Sequence, residues 1–235
     1  MADAELTPEA QQLSESQALD ASMPVEAWLA LFQSLEAHQP GFFKRVFTRK
    51  KKLPPAAQGF IVPLLALLRE DLQRNTPISL RIDFREAPGQ EHKVEPPPPG
   101  YRSMEETLRA QNWFAGGTEL VDGARVQWSI TDHVRERKGW KRSASGKLKR
   151  KSKSKKKAHI DVWLAVPAQL YRVAERPTPP DVKKVKVKEG DKRDKLHVRR
   201  VVKSADAKAA LDLNDFALAL GEAYARARPT WRGAA

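Results

Sequence analysis

The sequence predicts an α+β fold, a small, mostly antiparallel sheet covered on one face by N-terminal helices and a C-terminal helix, with a long basic hairpin tip. Three observations carry that expectation. Helical apolar spacing is confined to the two ends of the chain, and period-two alternation fills the middle. Residues 138–157 hold eleven Lys and Arg and no acid, between two alternating segments.

The chain has 235 residues, 40% of them hydrophobic, with 17 prolines and a formal charge of +14. That length suits one domain with appendages. With no cysteine, a disulfide scaffold, Cys-ligated zinc, iron–sulfur clusters and thiol catalysis are excluded. No apolar run reaches the ~18 residues of a membrane span, and the N-terminus lacks the basic start and apolar core of a signal peptide. A soluble, cytoplasmic protein is expected, nuclear if the source is a eukaryote, with no integral membrane association.

Residues 1–21 are acidic and polar and predict a flexible tail, disordered or weakly helical. A single α+β domain is expected over 22–228, with 138–157 as its flexible basic tip and 229–235 as a C-terminal tail. Ser22 reads as the N-cap of a helix with Pro24 in its first turn. Val25, Trp28, Leu29, Phe32 and Leu35 form its apolar stripe, and Pro40-Gly41 ends it. Residues 42–52 (FFKRVFTRKKK) predict a short helix, apolar on one side and basic on the other. Such a helix either packs on its neighbours or lies on anionic lipid, and the first reading is favoured because two apolar helices flank it. The run 60–68 predicts a buried helix started or kinked by Pro63.

Residues 78–86 alternate as a half-buried strand. The four prolines at 96–99 predict a stiff loop rather than a docking motif, although Pro98-Pro99-Gly100-Tyr101 also fits a short proline-rich ligand. Ser103 and Glu106 match a capping box, so a short helix is expected there, ended by Gly116-Gly117. Asp122-Gly123 predicts a two-residue hairpin turn. Strands follow from 124, with Val126, Trp128, Ile130 and Val134 on one face. Over 158–166, Ile160, Val162, Leu164 and Val166 share a face. Residues 182–188 and 195–202 predict a second hairpin. The closing helix spans about 212–228 with a stripe of Leu213, Phe216, Ala217, Leu220 and Tyr224.

Charge is local. Residues 1–43 carry seven acids and no Lys or Arg, and without 138–157 the chain's net charge falls to +3. A polyanion is therefore the expected partner, an RNA or DNA backbone bound without sequence specificity and without catalysis. The candidate binding residues are Lys138, Trp140, Lys141, Arg142, Lys147, Lys149, Arg150, Lys151, Lys153, Lys155, Lys156 and Lys157. Trp140 is the one aromatic among them and a candidate base-stacking platform. The rival partner is an acidic protein, in an adaptor or assembly role. A nuclear import signal is a weaker reading of the same lysines, and the acidic 1–43 stretch is a candidate cover for them in the free protein.

Pairing Val134 with Ile160 would set His133 opposite Asp161, which more often makes an ordinary cross-strand pair than a general base. No nucleophile motif, phosphate loop or metal-ligand spacing accompanies it, so no catalytic residue, metal or cofactor is expected.

Overall fold

A computed structural model describes residues 6–37, 57–143, 145–206 and 209–230. The expected amphipathic segment 42–52 lies outside the described residues.

The first elements differ from the expected tail. Helix α1 (Pro8–Ser16) is capped by the Thr7 hydroxyl, which accepts from the Ala10 N–H at 3.3 Å, and Pro8 opens its first turn. Ala10 and Leu13 are buried. Strand β1 (Ala18–Pro24) follows, with Leu19 buried and Leu19, Ala21 and Met23 opposite Ile82, Leu80 and Ile78. Ser22 is therefore a strand residue, its hydroxyl accepting from that of Ser79 at 3.0 Å, and not an N-cap. Polar composition hid two short elements, each of which contributes only one or two side chains to the core.

Helix α2 (Val25–Ala37) buries Val25, Trp28, Leu31, Phe32 and Leu35. The Trp28 indole N–H donates to the Ile78 carbonyl at 2.9 Å, which fixes α2 to the sheet. A π-helical turn (Ala57–Ile61) leads into α3 (Val62–Glu70), with Pro63 in the first turn and Phe60, Ile61, Leu64, Leu65 and Leu68 buried.

The sheet is larger than expected. Its strands are β1, β2 (Pro77–Asp83), β3 (Gln90–Lys93), β4 (Tyr101–Glu119), β5 (Arg125–Arg142), β6 (Leu148–Pro167), β8 (Val182–Lys188) and β9 (Arg193–Ser204). They pair antiparallel in the order β1-β2-β4-β5-β6-β9-β8, with β3 beside the first half of β4. A separate pair joins β7 (Tyr171–Val173) to β10 (Ala227–Pro229) and ties down the end of the last helix.

β4 replaces the helix expected from Ser103 and Glu106. Those two residues pair across the sheet with Trp140 and Arg137. A register shift between Asn112 and Phe114 buries two successive aromatics, Trp113 and Phe114. Such a bulge breaks the period-two signal that would have announced a strand. The expected two-residue turn at Asp122-Gly123 is instead a three-residue turn. The Leu120 N–H donates to the Ala124 carbonyl at 2.8 Å and the Gly123 N–H to the Leu120 carbonyl at 2.9 Å, with Gly123 at φ +76°. That left-handed third position is the place glycine fills without strain.

One side of the sheet carries Ile78, Leu80, Ile82, Phe114, Trp128, Ile130, Ile160, Val162, Leu164, Leu196 and Val198, all buried. Phe60 sits over it, edge-on to Trp113, Phe114 and Phe216 at 5.8, 5.8 and 6.0 Å. Phe216 belongs to α4 (Leu213–Arg226), capped by the Asp212 carboxylate accepting from the Asn214 N–H. The buried stripe of α4 is Phe216, Ala219 and Ala223, rotated from the expected one. The rotation seats small alanines against β6 and β9 and buries an ion pair of Glu222 with Arg226 at 2.8 Å. No described helix packs on the other side, where Ser79, Arg81, Gln127, Trp163 and Lys195 are exposed.

Candidate functional site

β5 and β6 pair continuously from Arg125↔Ala165 to Arg142↔Leu148, and β4 accompanies them as far as Tyr101↔Lys141. The segment expected as a flexible loop is thus largely strand, and its outer part is a three-stranded ribbon. The Ser143 N–H donates to the Lys147 carbonyl at 2.8 Å and the Gly146 N–H to the Ser143 carbonyl at 2.9 Å. Gly146 lies at φ +78°. This repeats the hydrogen bonds and glycine geometry of the Gly123 turn.

Directly opposed residues share a face, and faces alternate along each strand. Trp128, Ile130, Ile160 and Val162 lie under the helices, so even-numbered residues of β5 and β6 are on the covered side. Odd-numbered ones are on the open side. The sequence KLKRKSKSKKK (147–157) is sorted accordingly. Lys149, Lys151, Lys153, Lys155 and Lys157 form a row on the open side at a spacing of ~6.8 Å. Leu148, Arg150, Ser152, Ser154 and Lys156 occupy the other side. All five lysines of the row are exposed, and among the described residues none of them pairs with a carboxylate.

The remaining candidates divide. Lys141 joins the open side, its ammonium 5.5 Å from the Tyr101 ring centre. Lys147 is exposed in the turn. Lys138, Trp140 and Arg142 are exposed on the opposite side; Lys138 is 3.6 Å from Glu136, and Trp140 stands between Ser103 and Arg150. Trp140 therefore does not interleave with the lysine row.

Lys156 is not a surface residue. Its Nζ is 2.6 Å from Asp132 Oδ2 and donates to the Ala209 carbonyl at 2.9 Å, with 11% of the side chain exposed. Burial pushes the Asp132 carboxyl above its usual range, and the Lys156 ammonium pulls in the opposite direction. Removing the cation would strand a buried acid. Lys156 is a structural residue, set apart because its even position points it to the covered side, where Asp132 and the Ala209 carbonyl hold it.

Arg135 and Arg137 are also on the open side but are engaged by Glu106 of β4. Arg137 Nε–H donates to Glu106, with Arg135 at 3.7 Å and His92 at 3.5 Å from the same carboxylate. The Arg137 hydrogen bond and the neighbouring cations hold Glu106 below the usual carboxylate range.

The His133–Asp161 pair does not form. The register sets Val134 opposite Lys156, His133 opposite Lys157 and Asp161 opposite Ser129. A four-residue slip preserves the faces, which is why hydrophobic alternation could not distinguish the two registers. The turn decides, because among the described tip residues Gly146 is the one that takes the left-handed position.

Asp161 is instead held from β9. His197 Nε2–H donates to its Oδ1 at 2.6 Å and Arg199 Nε–H to the same oxygen at 2.8 Å, with Asp161 5% exposed. Trp163 stacks on His197, ring centres 4.9 Å apart and planes within 10°. This cluster was not anticipated, although the alternation of LHVRRVVK places His197 and Arg199 on one polar face. Seeing it required the β6–β9 pairing. Lys184, Lys186 and Lys188 of β8 oppose Arg199, His197 and Lys195, so the basic character of the open side extends to the edge.

His133 and His159 lie between the row and this cluster, ring centres 4.3 Å apart. Burial first, then His133 and Arg199, hold His159 below the ordinary histidine value, against the opposing pull of Asp161. Of the acidic 1–43 stretch, residues 1–5 and 38–43 lie outside the described residues, and its one described strand is far from the row. β1 lies four strands from β6, ~19 Å across the sheet. Among the described residues no group of His, Cys, Asp or Glu is arranged to hold a metal ion, and no helix is long and apolar enough to cross a membrane. Comparison with protein-family models, with curated proteins and with solved structures finds no match.

Proposed function

We propose that the protein is a non-enzymatic binder of a polyanion, the phosphate backbone of RNA or DNA, and that the odd-numbered lysines of β6 are its main contacts. One observation supports this reading above the others: five exposed ammonium groups in a row on the side that no described helix covers, none paired with an acid among the described residues. A surface built for solubility would mix signs at this density. A row of point charges neutralises phosphates without reading bases. Lys141 and Lys147 extend the contact, and Lys156 is excluded from it.

A salt titration tests the reading. With five phosphates neutralised, log K should fall against log[salt] with a slope of about −4.5 for duplex and about −3.5 for single strands. Retention by an acidic polypeptide, with no salt-dependent binding of nucleic acid, would favour the adaptor reading instead.

His159 adds a pH dependence. His159 is uncharged at neutral pH because its folded-state value is depressed, so its contribution to fold stability is present above the ordinary value of ~6.5 and is lost as pH falls. Binding runs the other way, since a protonated His159 adds a cation to the open side. Affinity should therefore rise as pH drops below ~6.5, and oligonucleotide should raise the midpoint of the His159 titration followed by NMR. A midpoint that oligonucleotide leaves unmoved would remove His159 from the surface that binding senses.

A further inference from the structure

We infer that the nucleic acid is single-stranded, and that one of its bases stacks on Trp163 while its backbone follows the lysine row. This rests on the polyanion reading above and adds the form of the ligand.

β6 carries both features. Beyond Lys157 its open-side positions continue through His159 and Asp161 to Trp163, ~46 Å from Lys149 along the strand. Trp163 is 38% exposed on a sheet surface that no described helix covers. Among the described residues His197 is the one ring stacked on it, so the indole's second face has no aromatic neighbour. The platform is preorganised, because Asp161 fixes His197 and is itself fixed by Arg199.

Two depressions meet at Trp163. One, of about 450 Å³, has a floor of Ser79, Ala115, Gly116 and Ser129 and polar walls of Asp20, Arg81, Asn112 and Gln127, which offer hydrogen-bond partners to the edge of a flat ring. The other, of about 500 Å³, is rimmed by Arg125, Lys186, Lys188 and Lys195. An exposed indole with one face unstacked by any described ring, beside a depression and with cations beyond it, suits an unpaired base and its phosphates. Paired bases are already stacked on their neighbours and offer no such face. Trp140, the exposed tryptophan at the tip, is on the opposite side, with Ser103 and Arg150 as its cross-strand partners.

The test uses the full chain and three probes: an oligothymidylate or oligouridylate of about 20 nucleotides, a duplex of similar length, and inorganic polyphosphate. Trp163→Ala should weaken single-strand binding between about fivefold and a hundredfold, the range of one lost base stack. Polyphosphate and duplex binding should not change, nor should the salt slope. Trp163→Phe should restore most of the loss, and Trp140→Ala should leave all three probes unaffected. Equal weakening of all probes by Trp163→Ala, no weakening of single-strand binding, or an effect of Trp140→Ala instead would overturn the inference while leaving the polyanion reading in place. If the native protein binds none of the probes, both fall. Comparing the deoxy and ribo probes shows whether the 2′-hydroxyl contributes.

Discussion

Glutamine at positions 149, 151, 153, 155 and 157 together is expected to lower affinity for single-stranded nucleic acid by about three orders of magnitude at ~0.1 M salt, and to remove a slope of about 3.5 from the salt dependence. The five lysines are exposed and on one side, so each can meet a phosphate without unfolding anything. Glutamine keeps their length and hydrogen-bonding capacity, so the variant isolates charge. The contrasting variant takes Lys138, Arg142 and Arg150 to glutamine. These cations are as exposed as the row but occupy the covered side's continuation, and Lys138 already faces Glu136. Their loss should reduce affinity far less per charge removed. Equal losses per charge would mean that the ligand wraps the tip, and that the alternation of Lys and Ser has no bearing on binding. Circular dichroism of both variants checks that the ribbon is retained.

The largest stability effect is expected at Phe60. It is fully buried, and its ring meets Trp113, Phe114 and Phe216 edge-on, joining the turn before α3 to the middle of the sheet and to α4. Truncation to alanine loses the transfer energy of the ring and leaves a cavity walled by aromatics too large to close over it. About 3–5 kcal/mol should be lost, a substantial part of the ~5–15 kcal/mol that stabilises a typical domain. Urea denaturation should show the midpoint falling with little change in slope. A loss below ~1 kcal/mol would mean that α2, α3 and α4 are held to the sheet independently of this ring.

Much of the body was legible in the sequence because its elements are amphipathic in the ordinary way. The strands at 78–86 and 158–166, the helix bearing Trp28 and the β8–β9 hairpin all show their period directly; in the first of these Leu80 and Ile82 alternate with Arg81 and Asp83. Three things were not legible. β1 holds one fully buried residue, Leu19, too few for a period. β4 contains a bulge at the aromatics that most needed to alternate, and its Ser103 and Glu106 imitate a helix cap. The β5–β6 register depends on where the turn around Gly146 is placed, since a shift of four residues changes no face. That last point altered the candidate site most. It separated His133 from Asp161, placed Lys156 against Asp132, and left the lysine row intact, because facing depends on parity and parity survived the shift.

β8 ends the sheet with Lys183, Lys184, Lys186 and Lys188 in seven residues. An outermost strand presents unpaired backbone groups to any other strand that approaches, including the same strand of another copy. Two such strands brought together would set eight ammonium groups against one another, and like charges directly opposed destabilise pairing. Fibre-like growth from this end of the molecule is therefore opposed by the same composition that gives the neighbouring surface its charge, and neutralising those lysines would expose the chain to self-association.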